Sequence, residues 1–114
     1  VYLSPAPLYH SAPQAAVGLA IRIGGTAIIM ERFDPESYLS LIAEYKVTHT
    51  QLVPTMFNRM LKLPEAIRAS SDVSSLETVV HAAAPCPALI RHLKCRVRIR
   101  IRCLVKCNPA REEL

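Results

Sequence analysis

The residues of this chain best suited to chemistry are a few histidines, one run of small residues and a cluster of thiols. His10 follows Pro5, Pro7, Leu8 and Tyr9, so it belongs to a loop that neither helix nor strand can absorb. An imidazole there can hydrogen-bond a carboxylate or phosphate oxygen, or it can simply cap the next helix or face water. His81-Ala82-Ala83-Ala84-Pro85-Cys86-Pro87 offers a different property. Ala82, Ala83 and Ala84 carry no reactive group, but their smallness lets a flat ring or an acyl chain approach the backbone, or lets a strand pack tightly on a helix. Val53, Met56, Phe57 and Met60 form an apolar series whose thioethers would adapt to varied chains in a channel, and which equally suits an ordinary core.

Two further groupings are weaker. His92, Cys95, Cys103 and Cys107 have zinc-ligand chemistry, but their spacing, H-x2-C-x7-C-x3-C, fits no common knuckle, and no metal site is expected. Arg96, Arg98, Arg100 and Arg102 could contact phosphates, yet no aromatic is interleaved for base stacking, so nucleic acid is not the expected partner. The formal charge of +5 is itself uneven. Residues 1–90 hold six basic and seven acidic side chains, whereas residues 91–114 hold eight basic and two acidic, so all the excess lies in the tail. A single cysteine, Cys86, precedes residue 94, and free thiols are expected rather than disulfides.

These residues need elements to hold them. With 114 residues, of which 51% are apolar, one globular domain with a core is expected. Arg22 interrupts the most apolar stretch, Ala15 to Met30, and Glu31 and Arg32 end it, so no segment reaches the roughly 20 residues that span a bilayer. The chain opens at Val1 without an export signal, which makes a cytoplasmic setting the default.

Val1 to Ser4 reads as a strand end. Ser11 is the expected cap of a helix from about Pro13 to Gly24-Gly25, with Gly18 marking close packing. Thr26 to Met30 reads as a buried strand. Asp34 and Pro35 open a helix carrying Tyr38, Leu39, Ile42 and Ala43 on one side. Val47 to Val53 predicts a strand, Pro54 opens a helix through Leu61, and a short helix over Glu65 to Ala69 precedes a serine-rich loop. Thr78 to Ala82 predicts a third strand, followed by a helix around Ala88 to Lys94. This alternation implies an α/β fold, a mainly parallel sheet flanked by helices with right-handed crossovers. Val97, Ile99 and Ile101 alternate with the arginines in period 2, the pattern of an amphipathic strand.

Three stretches in order resemble the AMP-forming acyl-CoA synthetases of the adenylate-forming superfamily. Ser4-Pro-Ala-Pro-Leu-Tyr-His-Ser-Ala-Pro13 is similar to the loop written P-L-[FY]-H in that family. Phe33-Asp-Pro-Glu-Ser37, with its helix and Lys46-Val-Thr-His-Thr-Gln-Leu-Val-Pro-Thr55, is similar to the segment before the acyl pocket. His81-Ala-Ala-Ala-Pro-Cys-Pro87 resembles the small-residue turn under the adenylate. The resemblance covers residues 1 to about 94 and implies part of the large N-terminal domain of such a ligase.

What it implies is activation of a fatty or related carboxylic acid by ATP and Mg2+, then transfer to coenzyme A. It gives His10 a role beside the carboxylate and adenylate, Ala83, Ala84 and Pro85 a place at the nucleotide, and Val53, Met56 and Phe57 a place along the acyl pocket. Other family parts are not in the sequence: the Thr/Ser/Gly-rich phosphate loop, the aromatic-Gly-x-Thr-Glu motif with its magnesium-binding Glu, and the lysine-bearing C-terminal domain. The expectation is therefore a chain inactive alone that binds ATP, Mg2+ and coenzyme A poorly. Residues 95–114 read as a basic tail foreign to the family, as a shift of reading frame near Lys94 in a GC-rich gene would write. The alternative is a remnant that binds nucleic acid or a protein partner through that tail.

Overall fold

A computed structural model describes residues 1–81 and 100–103. Nine elements follow in chain order: β1 (Tyr2–Ser4), α1 (Ser11–Arg22), β2 (Ala27–Ile29), α2 (Pro35–Tyr45), β3 (His49–Leu52), α3 (Pro54–Leu61), α4 (Glu65–Ser70), β4 (Thr78–His81) and β5 (Arg100–Cys103). The strands pair in parallel in the order β2-β1-β3-β4-β5. Leu3 pairs with Ile28 on one side and Thr50 on the other, and Thr50 pairs in turn with Val79.

Local chemistry explains where the helices start and stop. Asp34 is extended (φ −124°, ψ 126°), and its Oδ2 accepts the Ser37 backbone N–H at 2.8 Å, so one orphan donor of α2 is satisfied where Pro35 already suits the first turn. That hydrogen bond, foremost among the causes, lowers the Asp34 carboxyl from its ordinary value. At the other end Lys46 takes the left-handed conformation (φ 50°), and the next N–H, of Val47, reaches the Ile42 carbonyl at 3.2 Å. Val53 is held extended by Pro54, as the residue before a proline must be, and α3 begins at once.

Helix α1 closes with a Schellman pair: Gly24 N–H donates to the Ile21 carbonyl at 3.0 Å and Gly25 N–H to that of Ala20 at 2.8 Å. Gly24 has φ +77°, and a Cβ on Gly25 would sit 2.8 Å from the Ala20 carbonyl oxygen, so neither position suits a side chain.

Because β1→β2 and β2→β3 cross the sheet in opposite directions, right-handed connections put α1 on one face and α2 on the other. The contacts agree: α1 packs on β1 and β2, while α2 packs on α3. The core lies on the α2/α3 side. It joins Leu3, Leu52 and Val79 of the strands to Tyr38 and Ile42 of α2, Phe57 of α3, and Met30, Phe33, Val47 and Leu76 of the connections. Within it Thr50, wholly buried, donates its hydroxyl to the Leu3 carbonyl at 2.9 Å, tying β3 to β1. The Arg59 guanidinium stands 5.2 Å from the Phe33 ring centroid, a cation–π contact between α3 and the entry to α2. By contrast α1 buries only Pro13 and Val17, and leaves Leu19 and Ile21 more than half exposed.

Several local expectations change. Helix α1 starts at Ser11, and His10, not Ser11, holds the N-cap position, without a capping bond from its side chain. The chain turns helical two residues before Pro13 because the Gln14 N–H reaches back to the His10 carbonyl at 3.2 Å. Gly18 marks no close packing among the described residues, since a Cβ there would meet none of them within 4 Å. The strand around Thr26–Met30 is not buried throughout, because β2 is the edge strand and Ile29 is 50% exposed. The expected helix at Ala88 to Lys94, and the alternating run as far as Ile99, lie outside the described residues. The run's continuation, from Arg100, is extended in β5 and pairs in parallel with β4.

Candidate functional site

In a parallel sheet all strands end at one edge, and here the chain leaves β1 after Ser4, β3 after Leu52 and β4 after His81. The strand order reverses between β1 and β3, so the loop after β1 turns towards the face that carries α1, and Val53 leads to the face that carries α3. Adjacent loops that part in this way leave a crevice at the carboxyl end of the sheet, where open α/β folds hold their ligands. The loop that carries His10 leaves the sheet on one side of it, and the start of α3 lies on the other.

His10 is extended (φ −82°, ψ 138°); its N–H donates to the Pro7 carbonyl at 3.3 Å and its own carbonyl accepts from Gln14. Those backbone bonds fix the loop and leave the exposed imidazole without a hydrogen bond among the described residues. The ring lies 4.4 Å from that of Tyr9, itself 82% exposed. Across the crevice Val53 occupies the N-cap of α3, where its carbonyl accepts from the Met56 N–H at 3.0 Å, and Val53 and Met56 are half-buried. Phe57, one residue on, is buried in the core. Among the described residues no hydrogen bond or ring contact joins His10 to Val53, Met56 or Phe57. Ala83, Ala84 and Pro85 lie outside the described residues.

One side chain of chemical interest was not singled out from the sequence. His81, the last residue of β4, is wholly buried, and its ring lies 5.8 Å from that of Phe57 at an interplanar angle of 38°. Neither Nδ1 nor Nε2 has a hydrogen-bond partner among the described residues. Burial, with no countercharge, pushes its pKa below the ordinary histidine value, so the ring is neutral near pH 7, with one donor and one acceptor nitrogen. The available signal was its position: a histidine closing a β-branched run at the carboxyl end of a parallel strand, just before a turn of alanines.

Among the described residues, parts that would handle phosphate and metal do not gather here. Gly24 and Gly25 precede β2 and therefore sit at the opposite, amino edge of the sheet. Gly18 is within α1. Among the described residues no group of three or more His, Cys, Asp or Glu could hold a metal ion. Nor is any described helix long and apolar enough to cross a membrane.

The chain is similar to known proteins along most of its length. The model of the family described as "AMP-binding enzyme" matches residues 1–105. Feruloyl-CoA synthase of an Amycolatopsis species is 39% identical over 87 residues, 75% of this chain and 17% of that protein. The medium/long-chain-fatty-acid–CoA ligase FadD8 of Mycobacterium tuberculosis is 36% identical over 83 residues, 73% of this chain and 14% of that protein. Among solved structures, the inhibitor-bound N-terminal domain of FACL13 from Mycobacterium tuberculosis superposes with a TM-score of 0.80 at 27% identity, covering 92% of this chain and 26% of that one. The chain thus spans about a sixth of the length of the curated relatives it matches. With a family match over residues 1–105, a parallel sheet shared with a ligase N-terminal domain and the three motifs in order, the chain belongs to the AMP-binding enzyme family, among relatives that are acyl-CoA ligases.

Proposed function

We propose that this sequence is part of an acid–CoA ligase, which activates a fatty or related carboxylic acid with ATP to an acyl-adenylate and then forms the acyl-CoA thioester. The observation that carries the reading is the crevice at the carboxyl edge of the sheet, bordered by the His10 loop and the start of α3. Similarity to ligases named for feruloyl, medium-chain and long-chain acids supports a carboxylic acid as the substrate class.

In this reading His10 hydrogen-bonds the carboxylate or adenylate, and an imidazole with no hydrogen bond among the described residues suits that role. Val53, Met56 and Phe57 flank the acid's apolar body, with Phe57 as the buried floor. Ala83, Ala84 and Pro85 admit the nucleotide. ATP, Mg2+ and coenzyme A belong to the complete reaction, where the metal offsets charge developing on the phosphates. The described donor set does not fit Mg2+ or a triphosphate, so no step is assigned to this chain through either. The proposal includes a chain that is inactive alone and binds these cofactors poorly.

We place the family-like part first and the basic tail, residues 95–114, after it. The family match extends to residue 105, and β5 pairs in parallel with β4. A shift of reading frame remains the proposed origin of the tail, and sequencing the locus tests it. The assigned setting is cytoplasmic.

The test is ATP/pyrophosphate exchange with a fatty acid. The 114-residue chain is expected to give none, and a gene with the frame restored is expected to turn over. Turnover by the chain itself overturns the inactivity, and no turnover by the restored enzyme with any acid overturns the ligase reading.

A further inference from the structure

Helix α1 is apolar on every side. From Ser11 to Arg22 it carries one charge, Arg22, and its other polar side chains are Ser11 and Gln14. Pro13 and Val17 are buried where α1 packs on β1 and β2. Leu19, two residues past Val17, points about 200° round the helix from it, and Ala12 and Ala15 share that outward side. Ile23 continues it just past the helix end. Leu19 is 61% exposed and Ile23 76%, and Ile29 of the edge strand β2 is 50% exposed. A helix that is apolar all round is one that a larger body buries, yet only the inner side of α1 is covered among the described residues.

Three bodies could cover that outer side: the chain's own basic tail, a second copy, or more of the ligase polypeptide. The tail suits it least. Residues 91–114 hold eight basic and two acidic side chains, whereas α1 offers no acid and adds Arg22. A second copy would find too little to hold. The outer side of this 12-residue helix is about 18 Å long and about 10 Å wide, far below the roughly 800 Å² per partner that a free complex covers. A face of that size is enough for a partner in the same polypeptide, which loses little freedom on docking. This chain covers 26% of the FACL13 N-terminal domain on which it superposes, so the greater part of such a domain is available to fill that place. We propose that the outer side of α1, centred on Leu19 and Ile23, is the face on which the remainder of the ligase's own N-terminal domain docks through an apolar surface. The proposal rests on the ligase reading above and adds to it a surface and its occupant.

The test measures how fast N-ethylmaleimide modifies Leu19→Cys, read by mass spectrometry on the peptide that carries residue 19. Two proteins are compared: the 114-residue chain, and the ligase read from the sequenced locus with its frame restored. Each is labelled native and unfolded in urea. In the native ligase the thiol is expected to react about 100-fold or more slowly than in the unfolded one, because labelling must wait for the docked parts to open. In the 114-residue chain, where the face is open, folding is expected to slow it by less than about ten-fold. Ile23→Cys, just beyond the helix, gives the same comparison should Leu19→Cys fail to fold. Fast labelling in a restored ligase that turns over overturns the docking face and leaves the ligase reading intact. Slow labelling in a restored protein that gives no ATP/pyrophosphate exchange with any acid supports the docking face and overturns the ligase reading alone. Slow labelling in the 114-residue chain overturns the proposal, giving the face to a second copy if the rate falls with concentration and to the chain's own tail if it does not. A locus that encodes no more of a ligase domain also overturns it.

Discussion

Two isoleucines, one on each face of the sheet, give the fold its sharpest test. Ile42 of α2 has no exposed surface and belongs to the cluster that joins Leu3, Leu52 and Phe57. Ile21 of α1 is 60% exposed. The same truncation to Ala removes the same atoms from both, so the difference reports packing alone. Leu, Ile or Met to Ala in a core costs about 2–5 kcal/mol, and a site clamped between a sheet and a second helix has little room to collapse, which points to about 4 kcal/mol for Ile42→Ala. For Ile21→Ala, the two-fifths of the side chain that is covered contributes about 1 kcal/mol, of which the better helix propensity of Ala returns a part, leaving about 0.5 kcal/mol. For a chain of this length these losses correspond to roughly 15 °C and 2 °C in Tm. Urea unfolding followed by circular dichroism, with equal slopes for the two variants, measures both. If Ile42→Ala costs less than about 1 kcal/mol, or Ile21→Ala costs as much as Ile42→Ala, the core does not lie on the α2/α3 face and the argument for the crevice fails with it.

The glycines of α1 separate two effects that sequence alone merges. Gly18→Ala is expected to stabilise by about 0.5–1 kcal/mol, because the helix gains propensity and the Cβ meets nothing, whereas Gly25→Ala destabilises through its clash with the Ala20 carbonyl; thermal melts of the two variants should move in opposite directions. Acid should weaken the protein in two stages. His81, with its folded pKa below the ordinary 6.5, binds a proton more readily when unfolded, so its contribution is full above about pH 6.5 and is lost as pH falls below it; His81→Leu should remove that stage from a plot of stability against pH. Asp72 is held far below the usual carboxylate range, first by the Ser74 hydroxyl and next by Lys46 at 3.0 Å, so a second loss follows as pH drops through the carboxylate range, and Asp72→Asn should reduce it to the part that Asp34 supplies.

Much of the fold is written in local signals. Asp34-Pro35 caps α2 as its chemistry demands, Pro54 opens α3, and the alternation of β-branched runs with helical spacing implies a parallel sheet. The strand order is not local. Propensity and period say that β2 exists, but its place at the edge, beyond β1, depends on which crossovers the helices make, and Ile29 is exposed for that reason. The cap of α1 shows the same limit. Ser11 has the preferred side chain, yet the turn set by Pro7 brings the His10 carbonyl to Gln14 and starts the helix one residue too early for Ser11 to serve.

The site divides along similar lines. His10 was legible because two prolines force it into a loop, and the loop does sit at the carboxyl edge. Phe57 was legible as apolar, but its place in the core follows only from α3 lying on the α2 face. His81 escaped notice because nothing in the run Thr78-Val-Val-His distinguishes a strand-end histidine that faces water from one sealed against an aromatic ring. Only the register of β3 with β4 and the descent of α3 over it reveal the orphaned imidazole.

In the proposed function the His10 loop, the start of α3 and the end of β4 border one acid-binding crevice at the carboxyl edge of the sheet. Mapping backbone amide shifts of the 114-residue chain during an octanoate titration tests it most directly. Shifts are expected at Tyr9, His10, Met56, Phe57 and His81, with Gly24, Gly25 and Lys46 at the amino edge unmoved. Shifts confined to the amino edge, or to the exposed face of α1, would contradict it.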